Sequence, residues 1–170
     1  MDRAVLWLAR GGGLGLLPIA PGTWGSLGGI AWTALLLLPG NFGFFLGGVL
    51  LGVLLSAWAC GRAAKILKAV DPGEIVLDEI IALPLCYLGV LIPLYLKGAD
   101  ISLMALAQDA SAWAWIVVGF ALFRLFDIWK PSPIRELHGM PGGWGITLDD
   151  VMAGAFTAVV LYCVWLAVGS

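Results

Sequence analysis

Charge is what this 170-residue chain has least of. Asp, Glu, Lys and Arg make up 12% of it, against about 25% in an average soluble domain. From Gly11 to Gly61 there is no charged residue at all. A surface so poor in charge would aggregate in water, which argues against a soluble fold. The net charge is only −2 and there is no basic tract, so nothing could track a phosphate backbone and a nucleic-acid partner is excluded. Histidine occurs once, at His138. The three cysteines, Cys60, Cys86 and Cys163, lie far apart in apolar segments without CxxC spacing. That argues against zinc and redox centres and for small buried hydrophobes. Arg3 and Arg10 flank a short apolar stretch, but the Gly-rich, Pro-containing run after it is no ordinary signal-peptide core and cleavage site.

What the chain does have is hydrophobic sequence: 61% of its residues, with a mean hydropathy of +1.00. A spanning helix needs about 20 apolar residues. Residues 1–10, with Trp7 and two arginines, predict a short amphipathic segment at the interface. Residues 11–26 are too rich in Gly and Pro for one regular helix. Leu27–Leu38 predicts a short embedded helix, Pro39–Asn41 a turn, and Phe42–Cys60 a full span. Asp71-Pro72-Gly73-Glu74 has the pattern of a helix start, with a cap, a proline and a glutamate. It leads through Asp78 and Glu79 into Ile80–Leu96. Lys97–Ala110 is a polar connection. Ser111–Phe123 continues into Arg124 and Asp127, and Lys130–Gly145 is a loop. Thr147 opens the last helix, through Val168. The expectation is one all-α domain over residues 1–170. It is a polytopic membrane bundle of about five embedded helices, the first short, with an interfacial N-terminal helix.

Folding this chain back and forth puts eight of nine basic residues on one side. An excess of Lys and Arg marks the cytoplasmic side. Nine of eleven acids fall on that side too, which the rule does not predict. Asp78 and Glu79 are expected about two turns inside their helix. Arg124 and Asp127 share a face at a helix exit. Asp149 and Asp150 are expected in the first turn of the last helix. A charge at the centre of a bilayer helix costs about 2.5–3.5 kcal/mol, less near the interface, so such groups pair, bind an ion or line a polar cavity. Plain structural roles are open for several: capping by Asp149 and Asp150, an ion pair of Asp78 or Glu79 with Arg124 or Arg62, headgroup anchoring by Arg62, Lys65 and Lys68. On those roles alone the chain is a small transporter or structural membrane protein with buried ion pairs.

The functional alternative joins the carboxylates. Hard oxygen ligands without His or Cys suit Mg²⁺, which keeps waters and takes one or two carboxylates with substrate phosphate. Asp78, Glu79, Asp149 and Asp150 are the candidate ligands. Arg124, Lys130 and Arg135 are candidate phosphate holders. Two glycine segments on this side, Pro21–Ser26 with Thr23 and Ser26, and Gly142–Gly145, run into helix starts where backbone N–H groups can hold an anion. Neither is a Walker motif. The GxxxG spacings at Gly25–Gly29, Gly43–Gly47 and Gly48–Gly52 suggest close helix packing.

The segments PxxPGTWGSL (Pro18–Leu27), IVLDE (Ile75–Glu79), FRLFDIWKPSPIR (Phe123–Arg135) and GGWGITLDDVMAG (Gly142–Gly154) together resemble the phosphatidylglycerophosphatase A family, over almost the whole chain. The resemblance implies a bacterial inner-membrane enzyme, dependent on Mg²⁺, with its site facing the cytoplasm. It would remove the terminal phosphate of phosphatidylglycerol phosphate, leaving phosphatidylglycerol. Asp78, Glu79, Asp127, Lys130, Asp149 and Asp150 are then the implied site residues. Asp127 would be a further ligand or general base, and direct water attack or an aspartyl-phosphate intermediate fits equally. Leu77 and Ala82 depart from the family pattern, which often has an aromatic and a glycine near there, and His138 sits in a longer loop. Oligomeric state is not legible.

Overall fold

A computed structural model describes residues 2–168 and, for His138, the backbone only. Eight α-helices are found among them: α1 (Asp2–Ala9), α2 (Pro21–Leu37), α3 (Phe42–Leu67), α4 (Leu77–Leu96), α5 (Leu103–Gln108), α6 (Ala110–Trp129), α7 (Ile134–His138) and α8 (Gly143–Val168). No strand occurs among the described residues. Helices α3, α4, α6 and α8 are long and apolar enough to cross a bilayer. Helix α2, with 17 residues, spans about 25 Å at 1.5 Å per residue, a little short of the roughly 30 Å hydrocarbon core. The expected count of five embedded helices, the first of them short, matches this arrangement.

Helix α1 buries Val5 and Ala9 and exposes Trp7, lying against α3. A 3-10 segment at Gly11–Leu16 reverses the chain through Gly12 (φ 69°) and Gly13 (φ 108°), a left-handed backbone that glycine adopts without a Cβ clash. Three helix starts differ from expectation. Helix α2 begins at Pro21, not Leu27, because a proline at the head of a helix needs no N–H partner; the PGTWGS segment is helix rather than loop. Helix α4 begins at Leu77, not at Asp71. Glu74 is drawn off to Arg10 at 2.9 Å, and the Val76 N–H donates to the Ala9 carbonyl at 3.0 Å. Helix α8 begins at Gly143, so the GGWG segment is its first turn, packed against α3. The expected connections also hold short helices, α5 and α7. Asp109 caps α6 by accepting from the Ser111 N–H at 2.8 Å, and that bonding holds its carboxyl below the usual carboxylate range.

Helix α4 is the centre of the bundle. More than half of its span is buried, against a third or less of the spans in α3, α6 and α8. It packs against α8, α2, α3 and α6. Ala82, Leu83, Cys86, Tyr87, Val90 and Leu91 of α4 form the core with Phe123 of α6 and Ala153 and Leu161 of α8. Leucines, valines and tryptophans on the other helices face outward, as a lipid-exposed surface requires. In lipid, close van der Waals packing rather than hydrophobic burial joins helices. Gly89 of α4 does this, lying against the backbone of Ala158 and Tyr162 in α8. Of the GxxxG positions, Gly25, Gly29, Gly48 and Gly52 meet neighbouring helices, while nothing stands near Gly47.

Overpacking costs about 1–3 kcal/mol. Gly89→Leu is expected to lower thermal stability in detergent by about that amount, while Gly47→Leu leaves it unchanged or higher. Equal effects at the two glycines would contradict this packing.

Candidate active site

Four helices converge at one end of the bundle. The first turn of α4 supplies Asp78 and Glu79. They are not two turns deep, as the sequence suggested. Helix α8 begins earlier than expected, so Asp149 and Asp150 sit inside it, not at its N-terminus. That removes capping as their role. The last turns of α6 supply Arg124 and Asp127, and Lys130 follows as its C-cap in left-handed geometry (φ 44°). The first turns of α2 supply Gly22, Gly25 and Ser26.

Arg124 is the hub. Its Nη1 donates to Asp127 Oδ2 at 2.7 Å, to Glu79 Oε1 at 3.0 Å and to Ser26 Oγ at 3.3 Å. One guanidinium thus joins α2, α4 and α6. Ser26 keeps its hydroxyl aimed by donating to the Gly22 carbonyl at 2.9 Å. Gly22 and Gly25 have no side chain because Glu79 occupies that space: a Cβ on Gly25 would come within 2.5 Å of Glu79 Oε2. A second pair ties the post-α6 turn to α8, with Lys130 Nζ 2.6 Å from Asp149 Oδ2. Partial burial works against the charge of Lys130, but the hydrogen bond and charge of Asp149, with Asp150 and Asp127 nearby, outweigh it and raise its pKa. Lys130 is thus protonated throughout the neutral range. Beneath the site, the Ser56 and Thr147 hydroxyls share a 2.9 Å hydrogen bond between α3 and α8.

The carboxylates outnumber the cations. Asp78, Asp127, Asp149 and Asp150 are each 7% exposed or less. Glu79 is somewhat more accessible, yet its Oε2 is buried without a hydrogen-bond partner among the described residues. Asp78, Glu79, Asp127 and Asp149 all stand close enough to Asp150 for their charges to act on it. Five carboxylates face two cations, Arg124 and Lys130, so three negative charges are left over when all are ionised. Among the described residues neither Asp78 nor Asp150 takes part in an ion pair. Their carboxylates come from α4 and α8, the most closely packed helices of the bundle.

Other expected site residues stand apart. Arg135 is exposed on the short helix α7 and, among the described residues, forms no ion pair with the carboxylates. Thr23 is half-buried in the first turn of α2, with no side-chain hydrogen bond described. Arg62 reaches Asp2 at 3.5 Å rather than Asp78 or Glu79. The side chain of His138 lies outside the described residues. Asp71, read from the sequence as a helix cap, instead stands close enough to act on both Asp78 and Glu79. Its helix-start pattern concealed this.

The chain has known relatives. The sequence profile described as "Phosphatidylglycerophosphatase A" matches residues 7–165, a range that contains every carboxylate and cation of the cluster. The chain belongs to that family. A phosphatidylglycerophosphatase A of Escherichia coli (strain K12) is 39% identical over 157 residues, covering 91% of this chain and 80% of the relative. One from Haemophilus influenzae is 37% identical over 158 residues, covering 92% and 86%. A protein of Bacteroides thetaiotaomicron named "Putative phosphatidylinositol-3-phosphatase" is 36% identical over 160 residues, covering 91% and 89%. No solved structure matches the chain.

The resemblance to the phosphatidylglycerophosphatase A family implied Mg²⁺, and the donor set bears on that. Among the described residues no three His, Cys, Asp or Glu side chains form a ready-made metal cage. Mg²⁺ does not require one, since it usually binds through one or two carboxylates plus waters and substrate phosphate. The unpaired Asp78 and Asp150 and the orphaned Glu79 Oε2 are hard oxygen donors of the kind it takes. The residues present fit the ion.

Removing one partner of a buried ion pair costs about 3–5 kcal/mol. Arg124→Ala is expected to destabilise the protein by about that amount in detergent unfolding. Neighbouring groups couple, so Arg124→Ala combined with Glu79→Gln and Asp127→Asn should cost less than the sum of the separate changes. Strict additivity would show that Arg124 does not hold this network.

Proposed function

We propose that this family member hydrolyses the phosphate monoester of phosphatidylglycerol phosphate, releasing phosphatidylglycerol and inorganic phosphate, with Mg²⁺ bound at Asp78, Glu79, Asp149 and Asp150. The observation that carries the proposal is the surplus of buried carboxylate at a helix-end cluster that also holds Arg124 and Lys130. All three relatives bear names of lipid phosphatases; two name phosphatidylglycerophosphate chemistry, which favours that substrate over other lipid phosphates.

The chemistry follows from charge. The oxygen of water forms a bond to phosphorus, the ester P–O bond breaks, and the leaving lipid alkoxide takes up a proton. Uncatalysed phosphate monoester hydrolysis is slow enough for enzymes to supply rate factors up to about 10²¹, so several effects must combine. Arg124 and Lys130 bind the phosphate oxygens, exchanging part of their carboxylate partners for the substrate dianion. Asp127, held at 2.7 Å by Arg124, is positioned to take the proton of the attacking water. Lys130, protonated at neutral pH, neutralises charge on the leaving oxygen. When bound, the metal ion screens the phosphate from the carboxylates and makes water a stronger nucleophile. In this account the charged end faces the cytoplasm of a bacterial inner membrane; the excess of Lys and Arg at that end supports the cytoplasmic orientation. The acyl tails stay in the bilayer.

Ion pairing alone does not account for the cluster, because among the described residues Asp78 and Asp150 take part in no ion pair. The test is phosphate release from phosphatidylglycerol phosphate by purified protein in mixed micelles. Wild type should be active with Mg²⁺ and inactive after chelation. Asp78→Asn and Asp149→Asn should each lose about a hundredfold or more, the scale of losing a transition-state contact. Rates near wild type in both variants would end the proposal.

A further inference from the structure

A cavity of about 310 Å³ lies between α2, α4 and α6, away from the charged cluster, with α5 and the end of α8 lining its far part. Its walls are α2 and α6, with Ala34 and Leu37 on one side and Ala112 and Ile116 on the other; its floor is α4, with Tyr87 and Leu91. Two polar groups on this lining are satisfied within the protein. The Thr33 hydroxyl donates to the Gly29 carbonyl at 2.8 Å. The Tyr87 hydroxyl donates to the Ile116 carbonyl at 3.2 Å. What the cavity offers an occupant along most of its length is carbon. Only its far mouth is polar, where Asp109 and Ser111 complete the cap of α6.

The same three helices build the charged cluster. Arg124 of α6 bonds Ser26 of α2 and Glu79 of α4, so it bridges the two walls and the floor at one end. From Arg124 to Ile116 is about 12 Å along the helix axis, and from Glu79 to Tyr87 about the same, at 1.5 Å per residue. From Ser26 to Ile30, the first lining residue of α2, is about 6 Å. The apolar space therefore starts about one helical turn from the cluster along α2 and just over two along α4 and α6, and runs away from it along the bundle. That is the relation between the headgroup of a phospholipid and its acyl chain.

We propose that this cavity holds one acyl chain of the lipid whose phosphate is bound at Arg124 and Lys130. The proposal rests on the lipid-phosphatase function above and adds a site for the tail. A tail leaving the bilayer for this groove gains little hydrophobic free energy, because lipid is as apolar as the lining. Its role is positional. A seated chain fixes the direction from which the phosphate meets the carboxylate cluster, and orientation of this kind acts on rate. The groove thereby selects long-chain lipid phosphates over short-chain or soluble monoesters.

The test compares dioleoyl and dihexanoyl phosphatidylglycerol phosphate in detergent micelles with Mg²⁺. Ala34→Phe and Ala112→Phe put a ring into the groove from opposite walls, and neither touches the charged cluster. The readout is the ratio of kcat/KM for the long-chain substrate to that for the short-chain one. Partial misfolding lowers both values together and leaves the ratio intact. The ratio should fall about tenfold in each variant, the scale of discrimination by a hydrophobic pocket. An unchanged ratio in both variants, with wild type active on both substrates, would overturn the groove as the tail site; the space would then hold a bulk lipid or another helix. Absence of turnover of either lipid by wild type would overturn the phosphatase function itself, and the tail site with it.

Discussion

The structure depends on the burial of more carboxyl groups than cations inside a membrane protein. Five carboxylates meet at the end of the bundle with two cations among them. Burying charge is costly, and a buried pair is stable only when geometry and hydrogen bonds compensate for lost water. Arg124 does this for Glu79 and Asp127, and Lys130 for Asp149. The remainder, Asp78 and Asp150, takes part in no ion pair among the described residues, though Asp78 accepts from the Glu79 N–H at 3.0 Å. On the function proposed above, a divalent ion would offset two of the three surplus charges.

The bundle is arranged around that requirement. Helices α2, α4 and α8 all begin at the charged end, and α6 finishes there. Helix α4 is buried because it stands between the others, and its first turn carries Asp78 and Glu79 into the centre of the cluster. The small residues of α2 let Glu79 come close to its backbone. The early start of α8 against α3 sets Asp149 and Asp150 level with the first turn of α4. Away from this end the same helices are apolar, and α2 and α6 separate enough over α4 to leave a cavity. Polar chemistry and lipid accommodation thus occupy successive levels of one set of helices.

Much of this was legible in the sequence. The charge-free run from Gly11 to Gly61, the long apolar segments and the one-sided gathering of acids led to the helical membrane bundle and to its polar end. The motifs around Asp78, Arg124 and Asp149 led to the family. Helix starts were misread, each for a physical reason. Asp71 to Glu74 carries every local signal of a cap, but Glu74 finds Arg10 and Val76 finds the Ala9 carbonyl, tertiary partners that no local pattern encodes. The PGTWGS and GGWG segments look like loops because glycine is a weak helix former; packing against α4 and α3 overrides that weakness. Arg135 has the same composition signal as Arg124 and Lys130, and only the fold separates it from them.

The claim at the centre of this account is that the unpaired carboxylates hold a divalent cation. Mn²⁺ is a paramagnetic stand-in for Mg²⁺, and its binding to purified protein is measurable directly by electron paramagnetic resonance. Wild type should bind it saturably, competed by Mg²⁺, and Asp78→Asn combined with Asp150→Asn should weaken that binding about tenfold or more, as loss of ligand-shell groups does elsewhere. Equal binding by the two proteins, or none by wild type in the presence of phosphate, would contradict the account.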